Sequence, residues 1–246
     1  MHALMMRELL TRYGRHNIGF LWMFIGPALM TTAVTTAWAL FSGRGITKVP
    51  IAAFALTGYS FVMLWRGMPT RAGRAVEPNR SLLHHRNVRV IDLFISRILV
   101  EVCGVTLSFS VLAVGFTSIG MMQPPTDLIE VVFGWGMMIW IASSIALLVG
   151  ALIEISDLFE TFWHAFTHIL LPLSSSFTMV DWLPPKYQAA ILWCPLAHAI
   201  ELCREGFFGG IVTAHYDLTY LVSWCLGLTI MALALTKKAA YDVELE

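Results

Sequence analysis

Charge is scarce in this 246-residue chain: Asp, Glu, Lys and Arg make up 13% of it, about half of the roughly 25% usual in a soluble domain. A soluble globule of this size needs far more polar surface to cover itself, so water is excluded as the main solvent. Net charge is zero, so no bulk attraction to an acidic partner follows, and no nucleic acid is expected. Cysteine is sparse too. The four, Cys103, Cys194, Cys203 and Cys225, form no CxxC pair and no zinc-like spacing. Two lie in apolar runs and read as small buried hydrophobes. Cys194 and Cys203 share a segment, and a disulfide between them would need an oxidising compartment. No Gly-x-x-x-x-Gly-Lys-Ser/Thr run occurs, which excludes a P-loop ATP site. No cleavable signal peptide is expected either, because Arg7, Glu8, Arg12 and Arg15 interrupt any early apolar core.

What is present is apolar. Hydrophobic residues make up 57% of the chain and its mean hydropathy is +0.71. A bilayer core needs roughly 20 apolar residues per helix. Six runs qualify: 19–41, 49–65, 98–121, 131–153, 158–180 and 218–236. They are too long and too uniformly apolar for barrel strands, and lipid admits only helices or closed barrels. The expected fold is an all-α integral membrane protein, one transmembrane domain of six spanning helices. Twelve of the sixteen Lys and Arg fall in the first segment, the second connector and the tail. Arg44, Lys48, Lys186 and Arg204 fall on the opposite side. The positive-inside rule then places both termini in the cytoplasm.

Two segments are not simple spans. Residues 1–17 put Leu4, Met5, Leu9 and Tyr13 near one helical face with arginines elsewhere, the pattern of a helix lying in the membrane interface. A disordered start is the alternative. Residues 182–210 are apolar but broken by Pro184, Pro185, Pro195, Gly206, Gly209 and Gly210. They are too short to span, so a re-entrant helix pair on the periplasmic side, between the fifth and sixth spans, is expected.

The connector 66–97 holds seven arginines, more than orientation requires. Within it Glu77, Pro78, Asn79, Arg80, Leu82 and Leu83 suit a short helix, capped by Asn79, that presents its leucines to a partner protein. A mere topology signal is the alternative. In the fifth span Glu160, His164 and His168 form a stripe at i, i+4 and i+8. Ionisable groups in lipid usually face a cavity or a partner, so the stripe either lines a conduit or makes helix-packing hydrogen bonds. His84, His85 and the His164/His168 pair are a fragment of the histidine pattern of membrane di-iron oxygenases. Ligand number and placement fail, however, since His2, His16, His198 and His215 are scattered over both sides; no metal is expected. The nine Trp, six Tyr and fifteen Phe supply interfacial belts, with Trp65, Trp182 and Trp224 at expected interfaces. Some of these rings would also stack on sugar faces.

Three stretches carry a family resemblance. The first is Arg7-Glu-Leu-Leu-Thr-Arg-Tyr-Gly-Arg15, followed by Gly19-Phe-Leu-Trp and Pro27. The second is Glu77-Pro-Asn-Arg-Ser-Leu-Leu, continuing to Val90-Ile-Asp-Leu-Phe-Ile-Ser-Arg-Ile-Leu-Val-Glu101. The third, the most specific, is Met179-Val-Asp-Trp-Leu-Pro-Pro185 with Pro195-Leu-Ala-His-Ala-Ile-Glu-Leu-Cys-Arg-Glu-Gly-Phe-Phe-Gly209. Nearly the whole chain resembles the permease subunit of type-2 ABC exporters, in the subgroup that exports capsular polysaccharide. One departure is Cys194, where the family pattern has Asn; it bears on local capping.

The resemblance implies a homodimer in the bacterial inner membrane bound to two copies of an ATPase subunit, which would hold the ATP and Mg; no cofactor is expected in this chain. It implies an interfacial helix at 1–17 and a coupling helix at Glu77–Leu83. It also implies a periplasmic gate at about 182–209, for which the candidates are Asp181, Trp182, Leu183, Pro184, Pro195, Glu201 and Arg204. The substrate it implies is an acidic polysaccharide on a lipid anchor, drawn in by Arg7, Arg12 and Arg15 and passed on to periplasmic and outer-membrane export proteins. Rival readings are the same class of permease carrying O-antigen, teichoic acid or a drug, a membrane oxygenase (bound iron would reveal it), and a secondary transporter (transport without ATP would).

Overall fold

The computed structural model describes residues 4–8, 18–41, 49–83, 88–156 and 158–245, with side chains for all of these except 18–24, 27, 38, 39, 41, 81, 82 and 242–245. The regular structure among the described residues is helical, with no strand. Residues 4–8 form one helical turn. The principal helices are α1 (Ile18–Phe41), α2 (Ile51–Ala72), α3 (Val90–Ser118), α4 (Leu128–Ile155), α5 (Leu158–Leu173), α6 (Pro185–Ile191), α7 (Pro195–Phe208) and α8 (Leu218–Leu245).

Four of them, α2, α3, α4 and residues Leu218–Tyr241 of α8, are long and apolar enough to cross a membrane. α1 has 24 residues, about 36 Å at 1.5 Å per residue. α5 is shorter than expected. The run 158–180 predicts one span, but the helix stops at Leu173 after 16 residues. Pro172 lacks the N–H that its last turn would use. Ser175 then turns the chain with φ 59°.

α2 runs farther than expected, past Arg66 to Ala72. Its buried face continues through Leu64, Trp65, Met68 and Ala72, all 1% exposed or less, so packing carries the helix through the charges. Pro69 has no N–H for the carbonyl of Trp65. The helix widens there into a π turn, Met63–Gly67, and resumes at Met68. α3 begins eight residues before its apolar run, at Val90, where Asp92 Oδ2 accepts the Arg89 N–H at 3.0 Å. α4 starts at the cap Asp127, whose Oδ1 accepts from the N–H groups of Ile129 (2.8 Å) and Glu130 (3.3 Å).

α4 is the spine, packed against α2, α7 and α8, while α1 lies on α2 and α3. Its approach to α7 is close. A Cβ on Gly134 would sit 2.6 Å from the backbone nitrogen of Cys203, so only glycine lets the two backbones meet. The most apolar window of α2 is 72% buried and that of α8 is 17% buried; α2 is the interior helix and α8 a peripheral one. Helix ends meet in two places. Gly73 at the close of α2 meets Ile153 at the close of α4, and Gly206 in α7 meets Asp127 at the start of α4. The bundle therefore has an arginine-rich end and a far end; α2, α4 and α8 run from the far end toward the arginine-rich end, and α3 runs back.

Candidate functional sites at the two ends of the second helix

At the arginine-rich end, α2 runs into the proposed docking segment without slack. Gly73 N–H donates to Pro69 O (3.0 Å), Ala75 N–H to Ala72 O (2.9 Å) and Asn79 N–H to Val76 O (2.8 Å). Glu77–Asn79 form one 3-10 turn and Arg80–Leu83 a single α turn. Glu77, Pro78 and Arg80 are exposed. Two expectations change here. Leu83 is partly buried against the core, because the segment lies down on the bundle. Asn79 works backwards: its side-chain nitrogen donates to Ala75 O at 2.9 Å and closes the turn behind it. The side chain of Leu82 and all of His84 and His85 lie outside the described residues.

Around this segment four arginines are engaged, Arg66, Arg71, Arg74 and Arg97. Arg71 pairs with Glu101, which is buried on α3. Arg97 donates to the carbonyl of Arg71 at 2.8 Å and lies 3.0 Å from the buried carboxylate of Glu8. The first helical turn is thereby tied to α3, and Leu4 packs on the core. Arg7 is half-buried in that turn, whereas Arg12 and Arg15 lie outside the described residues. The stripe on α5 faces α2 in part. Arg74 Nε donates to Glu160 Oε1 at 2.8 Å, and Arg66 Nη2 is 3.4 Å from His168 Nε2. His164 is half exposed, 4.0 Å from Glu160.

At the far end the broken segment is a helix, a break and a helix. α7 starts with Pro195 at its first position. Cys194 gives no side-chain cap bond. α7 ends at Gly209, whose φ of 54° suits glycine. Glu201 and Arg204, one turn apart on α7, are 1% and 2% exposed. Arg204 Nη1 donates to Ser175 O (2.7 Å) and Thr178 O (2.8 Å), and Nη2 donates to Ser176 O (3.1 Å). Glu201 Oε1 lies 3.6 Å from Arg204 and accepts from Ser175 Oγ at 3.0 Å. The Arg204 guanidinium also lies 4.6 Å from the Phe54 ring centre on α2.

Trp182 packs on Phe54 from outside, 5.0 Å between ring centres. Asp181 is 3.9 Å from His215. Leu183 is half-buried, and Pro184 leads into α6. Sequence reasoning singled out Glu201 and Arg204 but missed what they hold. Phe54, Gly58 and the Ser174-Ser175-Ser176 turn carried only weak signals, a glycine inside an apolar helix and a run of serines. His198 was also missed; its Nδ1 accepts the Asp217 N–H at 2.8 Å.

Known proteins share this arrangement of sequence. Residues 1–208 match the family model described as ABC-2 type transporter. The capsule polysaccharide export inner-membrane protein CtrC of Neisseria meningitidis is 37% identical over 98% of this chain and 91% of its own length. A Haemophilus influenzae protein, BexB, of the same description is 36% identical over 99% of this chain and 92% of its own. The polysialic acid transport protein KpsM of Escherichia coli is 25% identical over 95% and 90%.

Proposed function

The chain belongs to the ABC-2 type transporter family, and from that premise we propose that it is the membrane permease subunit of an ATP-driven exporter of lipid-anchored acidic capsular polysaccharide. The observation that carries this reading is likeness of more than a third of residues, end to end, to proteins named for capsule polysaccharide export from the inner membrane. The chain has no P-loop, so in this reading ATP is hydrolysed by a separate subunit.

In this reading the chain sits in the bacterial inner membrane as six spans with both termini in the cytoplasm. Two copies form the permease and two ATPase subunits bind beneath them. Glu77, Pro78 and Arg80, exposed at the arginine-rich end, receive the push of ATP closure. Arg7, Arg12 and Arg15 attract the phosphate and carboxylates of the lipid-linked glycan. The polar side of α5 with His164 faces the conduit between the two copies, and the segment 182–210 closes its periplasmic mouth. Periplasmic and outer-membrane proteins continue the path.

The test is a capsule-negative strain lacking its own permease, given this chain and its neighbouring ATPase. Surface polysaccharide should return, and should vanish when the ATPase cannot hydrolyse ATP. Polysaccharide retained inside despite an assembled, hydrolysing complex refutes the reading.

A further inference from the structure

We propose that Arg204 is a positioning joint that fastens the far end of α2 to the end of α5, so that displacement of the docking segment reaches the outer gate through α2. This deepens the transport reading above and rests on it.

Three observations combine. First, α2 is one continuous helix of 22 residues, about 33 Å long at 1.5 Å per residue. Its inner end passes into Glu77–Leu83 through backbone hydrogen bonds, with Ala75 and Val76 fully buried. A push on the docking segment therefore has no loose loop in which to dissipate. Second, Phe54 and Gly58 lie four residues apart, on one face of α2. Phe54 meets the Arg204 guanidinium, and a Cβ on Gly58 would overlap the Ser176 carbonyl oxygen. The end of α5 is thus seated in a notch of α2. Third, one guanidinium spans three carbonyls of the turn that ends α5. A fork of fixed geometry sets the relative positions of its partners in a way that a greasy contact does not.

A buried ion pair is a poor source of stability compared with apolar packing of the same volume. Its contribution here is geometry. α2, α5 and α7 meet at a single side chain, which Glu201 neutralises. Ser175, at φ 59°, adopts a backbone state that a serine keeps only while the surroundings hold it. If Arg204 let go, α5 and α7 would lose their shared reference to α2, and docking motion would no longer be delivered outward.

The experiment uses the complete complex of this chain with its ATPase. ATP hydrolysis is read in lipid nanodiscs and export is read as surface polysaccharide in the complemented strain. Arg204→Lys keeps the charge but lacks the fork. Phe54→Leu leaves the Arg204 carbonyl bonds and the Gly58 notch in place and removes only the ring on which the guanidinium packs. Both complexes should assemble and hydrolyse ATP near the parent rate while export falls about tenfold, the scale of a residue that carries coupling. Export and hydrolysis falling together, or export unchanged, overturns the joint. If Arg204→Lys does not assemble, Phe54→Leu decides alone. Failure of the parent complex to export removes the transport reading and the joint with it; export by the parent with an unaltered ratio in the variants removes only the joint.

Discussion

The backbone N–H of Asp217 donates to Nδ1 of His198 at 2.8 Å, while Nε2 of the same ring lies 2.8 Å from the carbonyl oxygen of Leu192. One nitrogen must accept and the other must donate, so His198 is held as the neutral Nε2–H tautomer. It ties the break before α7 to the start of α8.

Histidine-labelled protein should accordingly show His198 with its proton on Nε2 in ¹⁵N spectra. His198→Ala leaves the Asp217 N–H and the Leu192 carbonyl without partners and should cost about 1–3 kcal/mol. A melting curve in detergent checks it. An unchanged transition would mean that the two loops are held by other contacts.

Glycine positions separate cleanly. Gly58→Ala drives a methyl group into a backbone carbonyl that Arg204 holds in place. Overpacking of a fixed site costs about 1–3 kcal/mol, and here the obstacle is backbone. Gly227→Ala, in the open face of α8 with nothing within 4 Å, should be neutral or stabilising by up to about 1 kcal/mol. Thermal stability of the two variants side by side decides.

Two carboxylates at the arginine-rich end should differ in weight. Glu160 pairs with Arg74, whose side chain is 67% exposed, so Glu160→Gln should cost about 0–1 kcal/mol. Glu101 is 5% exposed and Arg71 44% exposed. Glu101→Gln should cost about 2–3 kcal/mol, less than a fully buried pair because Arg71 keeps its water. Chemical unfolding of both variants gives the ranking, and a larger loss for Glu160→Gln contradicts it.

Docking is tested better through the exposed residues than through Leu83. Arg80→Glu with Glu77→Arg should abolish co-purification of the ATPase while membrane insertion stays as in the parent. Leu83→Asp should lower stability as well, since Leu83 packs on the core. Normal recovery of the ATPase with the charge-reversed pair would move the docking surface elsewhere.

Tyr216, in the connection to α8, gives an alkaline signature. Its hydroxyl is pushed up to about 12, first by the bond to the Glu205 carboxylate and then by partial burial. The folded value exceeds the ordinary 10, so the protonated phenol stabilises the fold below pH 10 and that contribution is lost as pH rises from about 10 to 12. Tyr216→Phe cannot titrate. Its melting temperature should fall less steeply than the parent's over that interval.

The apolar runs, the arginine bias and the broken segment were legible in the sequence because each is written locally. Lipid demands about twenty apolar residues per crossing, and proline and glycine mark where a helix cannot continue. Boundaries were less legible. α2 overran its apolar stretch because Met68 and Ala72 bury against neighbours that composition does not reveal. α5 fell short because the carbonyls after Pro172 find their donors on Arg204, 28 or so residues away in the chain.

From its sequence alone this protein was bound to be a bundle of lipid-embedded helices with one arginine-rich side, since hydropathy and charge placement are properties of composition and order. Only the tertiary structure decided which of its few charges meet. Arg204 with the α5 turn, Arg71 with Glu101, and Arg97 with Glu8 are pairings across helices. A buried charge must find its counterpart in space, and nothing in the linear spacing of these residues says where that counterpart lies.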